Sequence, residues 1–120
     1  MKRNDLIERT KKFAVNCWFL CDKLPKSREF NAYVNQLIKC SSSVGANYRA
    51  SQRAKSTKDF INKLKIVEEE ADESAYFLEL LFEVSNHHKT EIETLRKEAN
   101  EILAIIVASI KTSKSKLNKK

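Results

Sequence analysis

The sequence predicts an all-α fold, an antiparallel up-down-up-down four-helix bundle. Three observations point there. The 120 residues include one glycine and one proline, so few positions can break a helix. Four segments each repeat apolar residues at three-to-four spacing. The breaks between them are short, which makes consecutive helices antiparallel neighbours. The length suits one domain with a substantial core.

The first helix is expected over Asp5–Cys21, with Asn4 as its N-cap. Leu6, Thr10, Phe13, Cys17, Leu20 and Leu24 share one face, and Pro25 sits in the break Asp22–Ser27, where a helix cannot readily continue. The second helix is expected over Arg28–Ala54. Its core face reads Phe30, Tyr33, Val34, Leu37, Ser41, Val44 and Tyr48. Its opposite face is smooth around Ser42, Ser43, Gly45 and Ala46. A glycine there costs about 1 kcal/mol relative to alanine, which predicts a close helix contact at Gly45 and Ala46.

The third helix starts at Ser56, where Ser56 and Asp59 form a variant capping box, and ends near Ser85. Phe60, Leu64, Val67, Ala71, Ser74, Leu78 and Phe82 form its core face. After the loop Asn86–Lys89, Thr90 and Glu93 spell a full capping box for the fourth helix. Ile92, Leu95, Ala99, Ile102, Leu103, Ile106 and Ile110 make its stripe. The bundle thus occupies residues 1–111, and 112–120 are expected as a basic tail with too little apolar surface to fold alone.

This topology brings the N-terminus, the second-to-third turn and the C-terminus to one end. Residues 1–12, 49–65 and 111–120 hold 16 bases and three acids, whereas the rest of the chain is net acidic. The formal net charge is +7, so one pole is expected to be strongly basic and to suit RNA, DNA or another acidic partner. Residues 68–73 carry Glu68, Glu69, Glu70, Asp72 and Glu73 with no base. These are expected to pair with bases on neighbouring helices or subunits, or to stay solvated.

Two helices have more apolar surface than one core stripe needs. On the first, Val15 and Phe19 fall outside the core face and Trp18 lies on its margin; on the third, Ile66, Phe77, Leu80 and Val84 form a second face with Glu70 and Glu73. Exposed patches of this kind mark interfaces, so self-association is expected. The expected contact residues are Trp18, Phe19, Ser42, Gly45, Ala46, Ile66, Phe77 and Leu80.

Catalytic signals are missing. A di-iron bundle needs Glu-x-x-His pairs, but the two histidines, His87 and His88, fall in a loop with Val84 and Ser85 three residues before them. Cys17, Cys21 and Cys40 read as buried, inert thiols in a reducing cytosol, and an odd count suits no disulfide framework. The sequence carries no Walker loop, Gly-rich phosphate cradle or nucleophile elbow. We expect no enzymatic activity, no metal and no cofactor. Neither a signal peptide nor a run long enough to span a membrane is apparent, so a cytoplasmic location without a membrane partner is expected.

The residue order also resembles a known family. SREFNAYVNQLIKCSSSVGANYRA and RAKSTKDFINKLKIVEEEADESAYFLELL are similar to the bacterial four-helix-bundle proteins first noticed as products of intervening sequences in 23S rRNA genes. The likeness covers roughly Arg28 to Leu81. It centres on Ser43, Ala46-Asn47-Tyr48-Arg49-Ala50, Arg53, Lys55-Ser56 and Glu69-Glu70-Ala71-Asp72-Glu73. Tyr76-Phe77-Leu78 stands where the family often has an aromatic-Trp-Leu run. The resemblance implies a homo-oligomer, with a pentameric ring as the family's form, and a nucleic-acid-facing role with no established enzymatic activity. Accessory proteins of diversity-generating retroelements share this bundle and bind nucleic acid and a reverse transcriptase. The residues do not decide between the two groups.

The function these readings favour is an oligomeric basic bundle that binds structured RNA or DNA through phosphate contacts. Arg49, Arg53, Lys55, Lys58, Lys114, Lys116, Lys119 and Lys120 are the expected contacts. The alternative is an interaction scaffold whose basic pole docks an acidic protein.

Overall fold

A computed structural model describes residues 3–119, with side chains described from Asp5 onward. Four helices follow one another: α1 (Arg3–Lys23), α2 (Arg28–Ser51), α3 (Thr57–Val84) and α4 (Lys89–Asn118). Backbone contacts join α1 to α2, α2 to α3, α3 to α4 and α4 back to α1. Neither α1 and α3 nor α2 and α4 approach closely among the described residues, so each pair lies on a diagonal of the bundle. The result is a bundle of 53 × 21 × 20 Å.

The expected stripes form the core. Phe13, Cys17, Leu20, Leu37, Val44, Leu64, Val67, Leu78, Ile92, Ile102 and Ile106 are all buried. Phe30, Tyr33, Val34, Phe60, Phe82 and Leu103 are half-buried and pack against its rim. Polar residues enter the core by bonding the preceding helical turn. Thr10 Oγ1 donates to Leu6 O at 2.9 Å, Ser41 Oγ to Ile38 O at 3.3 Å and Ser74 Oγ to Glu70 O at 2.8 Å.

Gly45 is buried against α1. A Cβ there would lie 3.4 Å from Thr10 Oγ1 and 3.5 Å from the Thr10 carbonyl carbon and oxygen. These are ordinary contact distances, so the helices do meet closely at Gly45, within one chain. Ala46, expected in the same contact, is exposed.

Several helix ends differ from expectation. Asn4 lies inside α1, which already includes Arg3, so it is not the cap; at its other end α1 runs to Lys23. α2 ends at Ser51 instead of Ala54 because its ladder tightens. Gln52, Arg53 and Ala54 donate their N–H groups three residues back, to Arg49, Ala50 and Ser51. Ser56 caps α3 as expected, accepting from the Asp59 N–H at 3.0 Å, but the Asp59 carboxylate reaches the Lys55 N–H, also at 3.0 Å, instead of that of Ser56.

The capping box expected at Thr90 is absent. α4 begins at Lys89 after His88, whose φ of 66° places it in the left-handed region, and no side chain caps it. Glu93 is drawn away by Arg96, which donates to it at 2.8 and 2.6 Å. The expected tail also differs, since α4 continues through Asn118. Its stripe Ile106, Ile110, Ser113 and Leu117 carries on at helical spacing past the point where the core ends.

Candidate nucleic-acid interface

The α2–α3 turn is held firmly. Ser51 Oγ donates to Tyr48 O at 2.6 Å and accepts from Gln52 Nε2 at 2.9 Å. Asp59 ties the Lys55 N–H and the Lys63 ammonium, the latter at 2.7 Å. Both bonds hold the Asp59 carboxyl below its ordinary pKa, the Lys63 contact most strongly. The bases of this turn therefore stand on an ordered backbone.

Two concavities meet at this pole. One, of about 530 Å³, lies between the turn and the end of α4, with Lys55, Thr57 and Phe60 on one side and Ser113, Lys116 and Leu117 on the other. The second, a groove of about 700 Å³, runs between α1 and α2. Lys11, Arg49 and Arg53 line it above Ala14, Ser42 and Ala46. Lys58 and Lys114 are exposed nearby in sequence on α3 and α4, and Lys119 is exposed at the α4 cap. Lys120 lies outside the described residues.

Arg49, Arg53, Lys55, Lys58, Lys114, Lys116 and Lys119 form no side-chain ion pair with any described residue. Two other bases counted toward the pole do. Lys63 is held by Asp59, and Arg9 grips Glu98 through two 2.7 Å bonds and reaches Glu101 at 3.0 Å. The Glu98 bonds hold the Arg9 guanidinium still more firmly protonated than usual. Arg9 thus fastens α1 to α4. Lys11, counted in the basic pole but not named among the expected contacts, also lines the groove. Its signal was available, because antiparallel pairing about the turn at 24–27 sets the start of α1 against the end of α2.

The acids at 68–73 form no ion pair with any described residue. Glu69, Asp72 and Glu73 are exposed, and Glu68 and Glu70 are half-buried. Burial, then Glu73 and Glu69 beside it, pushes the Glu70 carboxyl up, with Lys39 only partly offsetting them.

The expected contact residues on α1 and α3 form two surfaces. On α1, Val15, Trp18 and Phe19 are exposed, and the two aromatic rings meet edge to face at 5.2 Å. On α3, Ile66, Tyr76 and Val84 are exposed, while Phe77 and Leu80 are half-buried, Phe77 against Tyr33 at 6.1 Å. The two helices lie on a diagonal, so these patches are separate surfaces.

The remaining reactive groups are quiet. Cys17, Cys21 and Cys40 are buried thiols. Burial pushes all three up, Cys21 to about 11. No group of three or more His, Cys, Asp or Glu among the described residues is placed to hold a metal ion. No described helix is long and apolar enough to cross a membrane.

These features define a class, the basic-poled four-helix bundle with surplus apolar faces. The 23S rRNA-intervening sequence protein family matches residues 2–108. The chain belongs to that family. It is similar to the crystal structure, at 1.70 Å, of a protein of unknown function from the S23 ribosomal protein family of Bacteroides thetaiotaomicron VPI-5482. That likeness has 32% identity and a TM-score of 0.83 over 92% of this chain and 99% of the other. A comparison with curated proteins finds no match.

Proposed function

We propose that this chain is a non-enzymatic, self-associating bundle of the cytoplasm that binds structured RNA or DNA through phosphate contacts. One observation carries the reading: an ordered turn and the end of α4 present Arg49, Arg53, Lys55, Lys58, Lys114 and Lys116 at one pole without ion-pair partners among the described residues. Phosphate binding by such a surface works through counterion release and reads no base sequence. Few aromatic residues lie among these bases, so stacking contributes little. Self-association repeats the pole, and the ring of five implied by the family resemblance adds avidity.

Fluorescence anisotropy against structured RNA and duplex DNA, between about 50 and 200 mM salt, tests this. Affinity is expected to fall steeply with salt for both ligands. Absence of binding at the low end overturns the reading and leaves a scaffold for an acidic protein, which the exposed Trp18 and Phe19 favour as the second reading. Light scattering is expected to give several times 13.9 kDa.

A further inference from the structure

We infer that the cleft between the α2–α3 turn and the end of α4 receives one unpaired nucleotide of the bound RNA or DNA, with its base on Phe60 and its phosphate beside Lys55 and Lys116. The inference rests on the nucleic-acid reading and names the part of that ligand which the pole selects. The cleft holds about 530 Å³, within the roughly 300–1,000 Å³ of pockets that take small molecules.

Two kinds of group meet in it. Lys55 and Lys116 line the cleft and form no ion pair with any described residue. No acid lines it. Asp59, close by in sequence, is already engaged by the Lys55 N–H at 3.0 Å and the Lys63 ammonium at 2.7 Å. The α1–α2 groove differs, because Glu8 stands among its bases. Phe60 and Leu117 line the same cleft as the two free lysines. Phe60 packs against the core yet is only half-buried, so its ring is held and still meets solvent. Leu117 is exposed. A phosphate alone gives these apolar side chains nothing to cover. A base does, since every base has a π-face that stacks on an aromatic ring.

The walls are set by the fold. Thr57 and Phe60 lie one turn apart on α3, and Ser113, Lys116 and Leu117 share a face of α4. Gln52, also in the lining, is fastened through its Nε2, which donates to Ser51 Oγ at 2.9 Å, and Ser51 donates in turn to Tyr48 O at 2.6 Å. A cleft already formed spares the ligand the cost of ordering it. In a continuous duplex the bases are stacked and paired inside, so only the backbone reaches the pole. A nucleotide at an end or in a bulge is free to enter. The cleft thus selects unpaired positions without reading base sequence, and Lys58 and Lys114 are left for the neighbouring phosphates.

Fluorescence anisotropy near 100 mM salt tests this with three versions of one labelled duplex: blunt, carrying one unpaired adenosine at the 3′ or the 5′ end, and carrying an abasic residue in its place. The unpaired adenosine is expected to tighten binding about tenfold at one of the two ends, the size of a single base stacked on an aromatic side chain. The abasic residue is expected to bind like the blunt duplex. Phe60→Leu, which keeps an apolar side chain without the ring, and Ser113→Leu, which fills the cleft from α4, are each expected to lose the tenfold advantage. Both are expected to keep the wild-type affinity and salt slope for the blunt duplex, with circular dichroism confirming the helices. Labelled adenosine monophosphate is expected to bind at least tenfold more weakly than the overhang, because it forgoes the neighbouring phosphates. Equal binding of blunt and overhang duplexes by the wild type overturns the inference and leaves the nucleic-acid reading intact. An abasic residue that binds as tightly as adenosine also overturns it, as does an advantage that survives in both variants. Adenosine monophosphate bound as tightly as the overhang overturns the assignment to a nucleic acid. Binding of none of the duplexes overturns both readings.

Discussion

The two ends of the bundle use their bases in opposite ways. At the end formed by the turns 24–27 and 85–88, lysines serve the fold. Lys26 donates to the carbonyls of Cys21, Asp22 and Leu24 at 3.5, 3.1 and 3.3 Å, where α1 runs out. Lys89 donates to the Phe82 carbonyl near the end of α3 and lies 4.3 Å from the Phe82 ring centroid. Lys23 pairs with Glu91 at 3.1 Å. At the other end, Arg49, Arg53, Lys55, Lys58, Lys114 and Lys116 form no ion pair with any described residue. Helix C-termini leave orphan carbonyls and a negative dipole end at both poles, so the difference lies in the side-chain bonds that the bases make and not in the dipoles. Counting bases therefore measures charge, and only their partners show which charges remain for a ligand.

The comparison breaks most directly on binding. Replacing Lys55, Lys58, Lys114 and Lys116 with alanine is expected to weaken duplex DNA binding by about a hundredfold or more near 100 mM salt. The log–log salt slope is expected to lose close to one unit for each true phosphate contact. Replacing Lys23, Lys26 and Lys89 instead is expected to leave the slope unchanged. Anisotropy titrations distinguish the two sets, and equal losses from both would erase the distinction between the ends.

Stability sharpens it next. Arg9→Met is expected to cost about 1–2 kcal/mol, because it removes charge-assisted bonds from a partly buried pair. Urea denaturation measures this, and a double-mutant cycle with Glu98→Gln should recover most of the loss as coupling. A smaller effect separates the two capping sequences. Ser56→Ala is expected to cost about 1 kcal/mol, whereas Thr90→Ala is expected to be nearly neutral, because only Ser56 accepts from a helix N–H. Equal midpoint shifts in urea would put the cap back at Thr90.

The smallest effect is at Glu70, whose carboxyl is raised first by burial and then by Glu73. A raised carboxyl binds its proton more tightly in the fold than in the unfolded chain. Its ionisation therefore lowers stability as pH rises from the ordinary glutamate value through the raised one. In dilute, dissociated protein, Glu70→Gln is expected to melt slightly above the wild type at neutral pH. That difference is expected to fade as pH falls below the ordinary glutamate value. Thermal melts across this range check the sign.

Much of this was legible in the sequence. The stripes of α1 to α4 were visible because helical spacing follows directly from which residues must leave water. The Ser56 cap was visible because its serine and acid lie within one turn. What escaped depended on competition between partners. Glu93 had a choice between the Thr90 backbone and Arg96, and the guanidinium won with two short bonds. Arg9 looked like part of the basic pole until Glu98, 89 residues away, came within reach. The helical course of 112–118 was judged from too little apolar surface, yet a helix already running needs no new nucleus, and Leu117 continued the stripe.

The sorting of charge along a 53 Å body also has a dynamic consequence. With the bases gathered at one pole and acids along α3, the molecule carries a large permanent dipole along its length. In the field of a polyanion it experiences a torque as well as an attraction, so it turns as it diffuses and arrives pole first. Productive encounters then make up a larger share of all collisions than random tumbling would allow, and added salt shortens the distance over which that alignment begins.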